Sequence, residues 1–165
     1  MKIVLDIEGD NLLDTITRIH VCCVYVMEED KVFSFRSHGE LIQFLQCFVE
    51  EPLEVITFNG VGYDLPALYK VWGIPYHVGK QDSFDGIPCT HVDLFHLSQF
   101  LNPDRVGGHS LDNLARAAGG PLKSEYKGGF DEYTEDMRAY CESDTKATAS
   151  VYHYLLKEAA LKYGG

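Results

Sequence analysis

The sequence predicts an α/β domain in which a mixed sheet of five strands is flanked by helices. Three observations support this fold class. The N-terminal part of the chain holds three consecutive segments of strand-like composition, which indicates an antiparallel meander. Segments of strand and helix type then alternate, as in parallel strands joined by crossover helices. A long segment with a helical apolar period follows near the end of the chain.

The predicted strands are set by apolar composition and by period-two alternation. Residues 2–8 form a nearly continuous apolar run, the pattern of a strand buried on both faces. Residues 18–26 are rich in β-branched and aromatic side chains, and residues 31–36 alternate like a half-exposed strand. Residues 54–59 read as a fourth, buried strand, and residues 89–92 as a short fifth one. A helix between the last two makes them parallel to each other.

The predicted helices are set by apolar residues that recur at the helical period and by capping residues. Ser110 and Thr134 are suitable N-caps for two of them. Glycines and prolines make residues 73–88 irregular. The helices are predicted over residues 40–49, 63–72, 93–101, 111–118 and from 134 to about 162.

Composition and charge restrict the class of protein. The 165 residues fit a single domain, 1–165, with the apolar and charged content of an ordinary globular protein. The formal net charge of −11 argues against a protein that coats nucleic acid, but it is compatible with an enzyme that meets phosphate through metal ions. The chain has no apolar run long enough for a membrane helix and no leader-like N-terminus, so we expect a cytoplasmic protein with no membrane partner. The five cysteines, which include no C-x-x-C pair, are expected to be small buried thiols in a reducing compartment.

Two carboxylates interrupt the apolar first strand. Asp6 and Glu8 are two positions apart, so their side chains point to the same face of the strand. Adjacent buried carboxylates cost several kcal/mol unless a proton or a cation lies between them. Because carboxylate oxygens are hard ligands, the pair predicts a site for Mg²⁺, Mn²⁺ or Ca²⁺.

Two further acidic residues stand at informative positions. Asp64 lies in the first turn of a helix after the break Asn59-Gly60, and Asp144 lies on the apolar stripe of the last helix, one turn after Tyr140. An acid on an apolar stripe is anomalous, because carboxylates are seldom buried without a partner. Simpler interpretations stay open. Asp64 can be a charge at a helix N-terminus, and Tyr140 can be a core aromatic. Asp144 can pair with a basic residue on the same helix or lie at the surface.

Three short motifs together resemble a known family, the DEDD superfamily of 3′→5′ exonucleases with a ribonuclease-H-like fold. They are Asp6-Ile7-Glu8, Asn59-Gly60 followed by Asp64, and Tyr140-Cys141-Glu142-Ser143-Asp144. The last motif is the Tyr-x-x-x-Asp form of the tyrosine (DEDDy) branch, and Ala139 stands where the other branch has a histidine.

The resemblance covers nearly the whole chain and is strongest to the proofreading domains of small-phage family A DNA polymerases. Residues 92–94, 109–111 and 124–127 are also similar to segments of those domains. Such polymerases continue for hundreds of residues after this domain. The chain is therefore expected either to work alone or to join a separate DNA polymerase.

The resemblance implies a site and a reaction. Two divalent cations, Mg²⁺ or Mn²⁺, would be held by Asp6, Glu8, Asp64 and Asp144. Asp6 would bridge both cations, Glu8 and Asp144 would complete the site on the nucleophile side, and Asp64 would hold the other cation. Tyr140 would orient the attacking water, because a phenol with a pKa near ~10 is a poor base at neutral pH. Hydrolysis at a DNA 3′ end would release nucleoside 5′-monophosphates.

Several residues are candidates for contact with the nucleic acid. The terminal nucleotide is expected to meet Asn59, Phe58, and Leu12 or Leu13. Lys123 and Lys127 are expected to meet backbone phosphates. For the two lysines, a solvated polar loop is the alternative interpretation.

Two other functions stay open. The first is a 3′→5′ exoribonuclease for short RNA, because the sequence does not indicate how a 2′-hydroxyl would be treated. The second is a non-catalytic exonuclease-like subunit that binds a polymerase or a host protein. The four carboxylates and Tyr140 count against the second function, because a binding module has no use for clustered acids.

Overall fold

The computed structural model describes residues 1–164, and these residues form a mixed sheet flanked by helices. Gly165, the last residue of the predicted domain, lies outside the described residues. The strands are β1 (Lys2–Gly9), β2 (Ile19–Val26), β3 (Lys31–Phe35), β4 (Leu53–Thr57), β5 (Tyr76–His77), β6 (Ser83–Phe84) and β7 (Ile87–Asp93). The helices are α1 (His38–Phe48), α2 (Asp64–Trp72), α3 (Leu94–Leu101), α4 (Leu111–Ala118) and α5 (Glu135–Tyr163).

The order of strands across the sheet is β3-β2-β1-β4-β7-β6-β5. Strands β1, β2 and β3 pair antiparallel, and β1 pairs parallel with β4, which in turn pairs parallel with β7. The predicted meander and the predicted parallel strands are therefore both confirmed. Strand β1 lies inside the sheet, between β2 and β4, so that its polar residues are placed within the protein.

The two additional strands, β5 and β6, fall in the segment that was expected to be irregular. Strand β6 pairs antiparallel with β7 across Asp85 and Gly86, whose φ angles are 52° and 75°. Positive φ at both central residues is the geometry of a two-residue hairpin, for which Asp-Gly is a preferred sequence. The expectation that residues 73–88 are irregular was wrong. It rested on the many prolines and glycines of the segment and did not take the Asp85-Gly86 pair as a hairpin turn.

The core has one large cluster on each face of the sheet. Along β1, Ile3, Leu5 and Ile7 belong to the cluster that includes residues of α1 and α2. Val4 belongs to the cluster formed with α3, α4 and α5. This alternation confirms a strand buried on both faces, and it directs Asp6 and Glu8, which share the face of Val4, toward α5.

Two predicted helix caps are confirmed. The Ser110 hydroxyl accepts a hydrogen bond from the backbone N–H of Asn113, and the Thr134 hydroxyl accepts one from the backbone N–H of Met137, each at 3.1 Å. The cap at Thr134 fixes where α5 begins. The buried residues of the helix, which include Met137, Cys141 and Asp144, mark the side that faces the sheet.

The cysteines divide into two groups. Cys22, Cys23 and Cys141 are buried, as expected, whereas Cys47 is exposed and Cys89 is half-buried. The expectation of burial fails for Cys47 because Leu41, Phe44 and Leu45 form the inward side of α1 and place Cys47 on its outer side. Within residues 1–164, no helix combines the length and the apolar character that crossing a membrane requires.

Candidate active site

The site begins at the end of β1, where Asp6 and Glu8 project from one face of the sheet. One carboxylate oxygen of each residue and the Cys141 sulfur all lie within 4.8 Å of one another. Within the sheet, Asp6 is the register partner of Cys23 on β2. The pattern of the first strand thus produces the clustered carboxylates that it predicted.

Asp64 joins this cluster from the first turn of α2. Its side chain is buried, it accepts a hydrogen bond from the backbone N–H of Ile7 at 3.0 Å, and it lies close enough to Asp6 for the charge of that carboxylate to raise its pKa. Asp64 therefore lies beside β1. A favourable charge at a helix N-terminus does not by itself explain this contact.

The loop that leads to Asp64 is organised by Asp93 at the end of β7. The Asp93 carboxylate accepts hydrogen bonds from the backbone N–H groups of Asn59 at 2.9 Å and Val61 at 3.1 Å, and it also caps α3. Asn59 has a φ of 56°, a left-handed conformation that asparagine tolerates. Gly60 is required there, because a Cβ atom would lie 2.3 Å from the Thr57 hydroxyl.

Asp144 reaches the cluster from α5. It is only 7% exposed, and its Oδ1 atom is buried without a hydrogen-bond partner. Tyr140, one turn earlier, is half-buried, and the Lys123 ammonium group lies 5.5 Å from the centre of its ring. The basic-partner interpretation of Asp144 therefore does not account for Oδ1, which still needs a proton or a cation.

The electrostatics of the cluster reflect crowded acids in a buried place. Burial raises the pKa of Asp6 to about 6, and burial together with the charge of Asp6 raises the pKa of Asp144 to about 7. Burial and the charges of Asp6 and Asp144 raise the pKa of Glu8 to about 9. Burial and the Asp6 charge hold the pKa of Asp64 well above its usual range. Lys123 acts in the opposite direction, because its positive charge lowers the pKa values of Asp6, Glu8 and Asp144.

The donor set suits hard divalent cations. Asp6, Glu8, Asp64 and Asp144 supply only carboxylate oxygens, the ligands that Mg²⁺ and Mn²⁺ prefer. The unpartnered Oδ1 atom of Asp144 is a free ligand position that a cation would satisfy. The residues present therefore fit the divalent cations that the sequence predicted.

Three clefts surround the carboxylates. The Leu12 cleft, about 350 Å³, is lined by residues that include Glu8, Leu12, Tyr63 and Phe130. The carboxylate cleft, about 390 Å³, is lined by residues that include Phe58, Asn59, Asp64, Lys123 and Asp144. The Tyr126 cleft, about 450 Å³, is lined by residues that include Arg116, Lys123, Tyr126, Lys127 and Tyr140. The catalytic candidates thus lie where three open spaces meet.

The candidate substrate contacts are distributed among these clefts. Leu12 is 78% exposed at the edge of the Leu12 cleft, whereas Leu13 packs against the large core cluster. Lys123 lines two clefts, and Lys127 lines one while it forms an exposed ion pair with Glu125 at 3.8 Å. Leu13 therefore lines none of the three clefts.

Sequence reasoning missed several residues that line the site. Tyr63 lies between two of the clefts, and its hydroxyl donates to the backbone oxygen of Asn11 at 2.9 Å. Its position directly before Asp64 was an available signal. Phe130 and Arg116 gave no such signal, because a loop and a helix far from the motifs in sequence bring them to the site.

Comparisons with known proteins agree with this arrangement. The chain is 26% identical over 150 residues to the DNA-directed DNA polymerases of Enterobacteria phage T3 and Escherichia phage T7, with 82% of this chain covered in each case. It spans only 21% of the length of those relatives.

Solved structures share the fold at low sequence identity. One is Brucella melitensis NrnC bound to pGG, with a TM-score of 0.70, 14% identity, and 98% of this chain and 74% of that chain covered. Another is Escherichia coli RNase D, an exoribonuclease involved in structured RNA processing, with a TM-score of 0.64, 16% identity, and 97% and 40% covered. These matches confirm the ribonuclease-H-like fold.

The family assignment follows from the length of the match. The family model described as the RNase_H superfamily matches residues 3–156, which include the three motifs and most of α5. The predicted resemblance to ribonuclease-H-like domains and to phage polymerases is confirmed. The chain belongs to the RNase_H superfamily.

Proposed function

We propose that this chain is a metal-dependent 3′→5′ exonuclease that removes nucleoside 5′-monophosphates from DNA 3′ ends, with residues 1–165 as one exonuclease domain. One observation carries the proposal. Four carboxylates from β1, α2 and α5 converge, and the Oδ1 atom of Asp144 is buried among them without a partner. Such an arrangement is costly for a protein that only binds a partner, and it is useful to one that binds cations.

The proposed ligands divide between two cations. Asp6 would contribute to both, Glu8 and Asp144 would complete one position, and Asp64 would serve the other. When bound, two such cations supply an activated water and stabilise the leaving oxygen of a phosphodiester. The Mg²⁺-bound NrnC structure shares this fold, and its metal supports Mg²⁺ as a candidate here.

The proposed role of Tyr140 is to orient the attacking water. Burial raises the pKa of its hydroxyl above the usual value, so the group is a neutral phenol at neutral pH. A neutral phenol donates one hydrogen bond and accepts another, and the ammonium group of Lys123 lies 5.5 Å from the centre of the Tyr140 ring. A neutral O–H group beside a lysine fits the orientation of a water better than removal of its proton.

The Tyr140→Phe variant tests this role. We expect a loss of about 10- to 100-fold in kcat, because one oriented hydrogen bond is removed while the carboxylates stay in place. Isothermal titration with Mn²⁺ should give a cation affinity close to that of the unchanged protein. A Tyr140→Phe enzyme of full activity would contradict the role.

Lys123 is proposed to meet the backbone phosphate next to the scissile bond. Its ammonium group lies 5.5 Å from the centre of the Tyr140 ring, and its side chain lines both the carboxylate cleft and the Tyr126 cleft. Lys127, at the outer end of the Tyr126 cleft, is proposed to meet a phosphate farther along the strand. Both contacts are electrostatic and should weaken with salt.

The Lys123→Met variant is expected to lose more activity than the Lys127→Met variant, which serves as its matched control. Lys123 is proposed to contact both a phosphate and Tyr140. Its loss should therefore raise KM and lower kcat, so that kcat/KM falls about tenfold or more. Lys127 is 88% exposed, and its loss should mainly raise KM and reduce the salt dependence. Equal effects of the two substitutions in steady-state kinetics would argue against a special position for Lys123.

The terminal nucleotide is proposed to occupy the space between Leu12 and the Phe58–Asn59 segment. DNA is the proposed substrate because the relatives at 26% identity are DNA-directed DNA polymerases. With a net charge of −11, the chain should bind free DNA weakly, which supports a separate DNA polymerase as the partner that presents the 3′ end.

The test uses 5′-labelled single-stranded DNA, matched and mismatched duplexes, and an RNA of the same sequence. Each is incubated with the purified chain in Mg²⁺, in Mn²⁺ or in chelator. The expected result is a metal-dependent ladder that shortens from the 3′ end of DNA. A ladder on RNA alone would mean that the substrate is short RNA and not DNA. Absence of hydrolysis on every substrate, with and without an added polymerase, would overturn the proposal.

A further inference from the structure

We propose that the site has a second mode of cation binding, in which Cys141 joins Asp6 and Glu8 to hold a thiophilic divalent cation such as Zn²⁺ or Cd²⁺. Bound in this mode, the cation takes over carboxylates that hydrolysis needs and inhibits the enzyme. The inhibition rests on the proposed function, whereas the binding does not.

The geometry of the three donors suits such a cation. The Cys141 sulfur lies 3.7 Å from the Oδ2 atom of Asp6, and its distance to the Glu8 carboxylate is within 4.8 Å. A tetrahedral Zn²⁺ with bonds of about 2.3 Å to sulfur and about 2.1 Å to oxygen requires a sulfur–oxygen separation of about 3.6 Å. The Cys141–Asp6 pair already has this separation, and a small rotation of Glu8 brings its oxygen close enough.

The thiol reaches the carboxylates because of its position on α5. Cys141 follows Tyr140, and one residue along a helix turns the side chain by about 100°. Cys141 therefore points down onto β1 and β2, where its thiol also contacts the backbone oxygen of Asp6 at 3.6 Å. Cys23, the register partner of Asp6, belongs to the same buried cluster as Cys141 and adds a second sulfur beside the carboxylates.

Two of the proposed ligands line clefts that a cation can enter. Glu8 lines the Leu12 cleft and Asp6 lines the carboxylate cleft, whereas Cys23 and Cys141 are fully buried. Asp144, more than nine-tenths buried, lines the same cleft as Asp6, and its Oδ1 atom has no partner. This atom is a separate indication that an oxygen of the cluster is free to bind a cation.

The chemical class of the cation follows from the sulfur. Mg²⁺ and Mn²⁺ favour oxygen ligands, so the thiol leaves the hydrolytic mode unchanged. Zn²⁺ and Cd²⁺ bind thiolate, and the thiol releases its proton to solvent as the metal–sulfur bond forms. Cys141 thus distinguishes two classes of divalent cation at one pair of carboxylates.

The test is a titration of the metal-free chain with Cd²⁺, followed by the ultraviolet charge-transfer absorption of the cadmium–thiolate bond. We expect a saturable band in the unchanged protein and in Cys47→Ser, a matched control because Cys47 is exposed on α1. Cys141→Ser should lose the band or bind at least about tenfold more weakly. A Cys141→Ser variant with an unchanged band, or an unchanged protein with no band, would overturn the proposal.

A second variant keeps the test decisive if Cys141→Ser fails to fold. Asp6→Asn leaves both thiols in place and removes one proposed oxygen ligand, so it should weaken Cd²⁺ binding at least about tenfold. Unchanged Cd²⁺ affinity in Asp6→Asn would show that the thiols act without the carboxylates and would overturn the shared site.

Hydrolysis in Mg²⁺ provides the functional readout. Zn²⁺ should inhibit the unchanged protein and Cys47→Ser alike, and the inhibition constant should rise at least about tenfold in Cys141→Ser. Equal inhibition of all three proteins would contradict the inhibitory role of Cys141. An unchanged protein that hydrolyses nothing would overturn the proposed function, and the cadmium band would still decide the binding site.

Discussion

Replacement of Asp6 by alanine is expected to abolish hydrolysis, with a loss of more than about 10³-fold in kcat/KM. The proposed role of Asp6 is to serve both cations, and even residues that merely orient a metal ligand contribute about 10- to 100-fold. The measurement is the rate of shortening of a 5′-labelled DNA in Mg²⁺. Asp104→Ala is a suitable control, because Asp104 is an exposed acid in the loop after α3 and should retain full activity.

The same substitution should not unfold the protein. Asp6 is crowded by Asp64 and by Glu8, and removing one member of this group relieves repulsion and the cost of burial. In chelator, the Tm of Asp6→Ala should therefore equal or slightly exceed that of the unchanged chain. A strongly lowered Tm would mean that Asp6 is structural, and the loss of activity would then say nothing about catalysis.

The stability of the metal-free protein is expected to fall as the pH rises from about 5 to about 9. The pKa values of Asp6, Asp144 and Glu8 are raised in the folded protein to about 6, about 7 and about 9. In this range the folded state binds more protons than the unfolded state, so an increase in pH favours unfolding. The stabilising contribution is complete below the ordinary pKa values of these acids and is lost as the pH passes through the raised ones.

Mg²⁺ should prevent most of the loss of stability that occurs as the pH rises. A cation compensates the negative charges that protons no longer neutralise, so the increase in Tm that Mg²⁺ produces should grow with pH. At about one hundred times its Kd, Mg²⁺ adds about 2.7 kcal/mol to the free energy of unfolding. For a chain of this size, that is a rise of about 5–10 °C in Tm.

Thermal melts in chelator and in Mg²⁺ across this pH range check both statements. Asp144→Asn is the informative variant, because it removes one titrating acid with little change in the size of the side chain. Its metal-free Tm should depend less on pH than that of the unchanged chain. A metal-free Tm that stays constant or rises over the range would contradict the assignment of raised pKa values.

The residues of the site that could be predicted from sequence are those whose positions follow from the periodicity of a single strand or helix. Alternation along β1 gave Asp6 and Glu8 a common face, and the helical period placed Asp144 one turn after Tyr140 on the inner side of α5. The contact of Asp64 with β1 is not local. It was expected because the order of the motifs resembled a known family.

The clefts could not be predicted, because they depend on contacts between distant segments. Leu12 stands at its cleft because Lys70 donates hydrogen bonds of 2.9 Å to the backbone oxygens of Leu13 and Asp14 and holds their loop against α2. No periodicity in the loop encodes this contact. The same is true of the distinction between Leu12 and Leu13, since adjacent loop residues have no fixed faces.

The distribution of the carboxylates along the chain has a consequence for the time at which the enzyme becomes active. A ribosome adds Asp6 long before it adds Asp144. Asp144 is carried by α5, which packs against β1 and β2, so the set of proposed ligands closes only after α5 has left the ribosome and docked on the sheet. A nascent chain in which α5 has not yet docked therefore lacks one ligand of the proposed nuclease site.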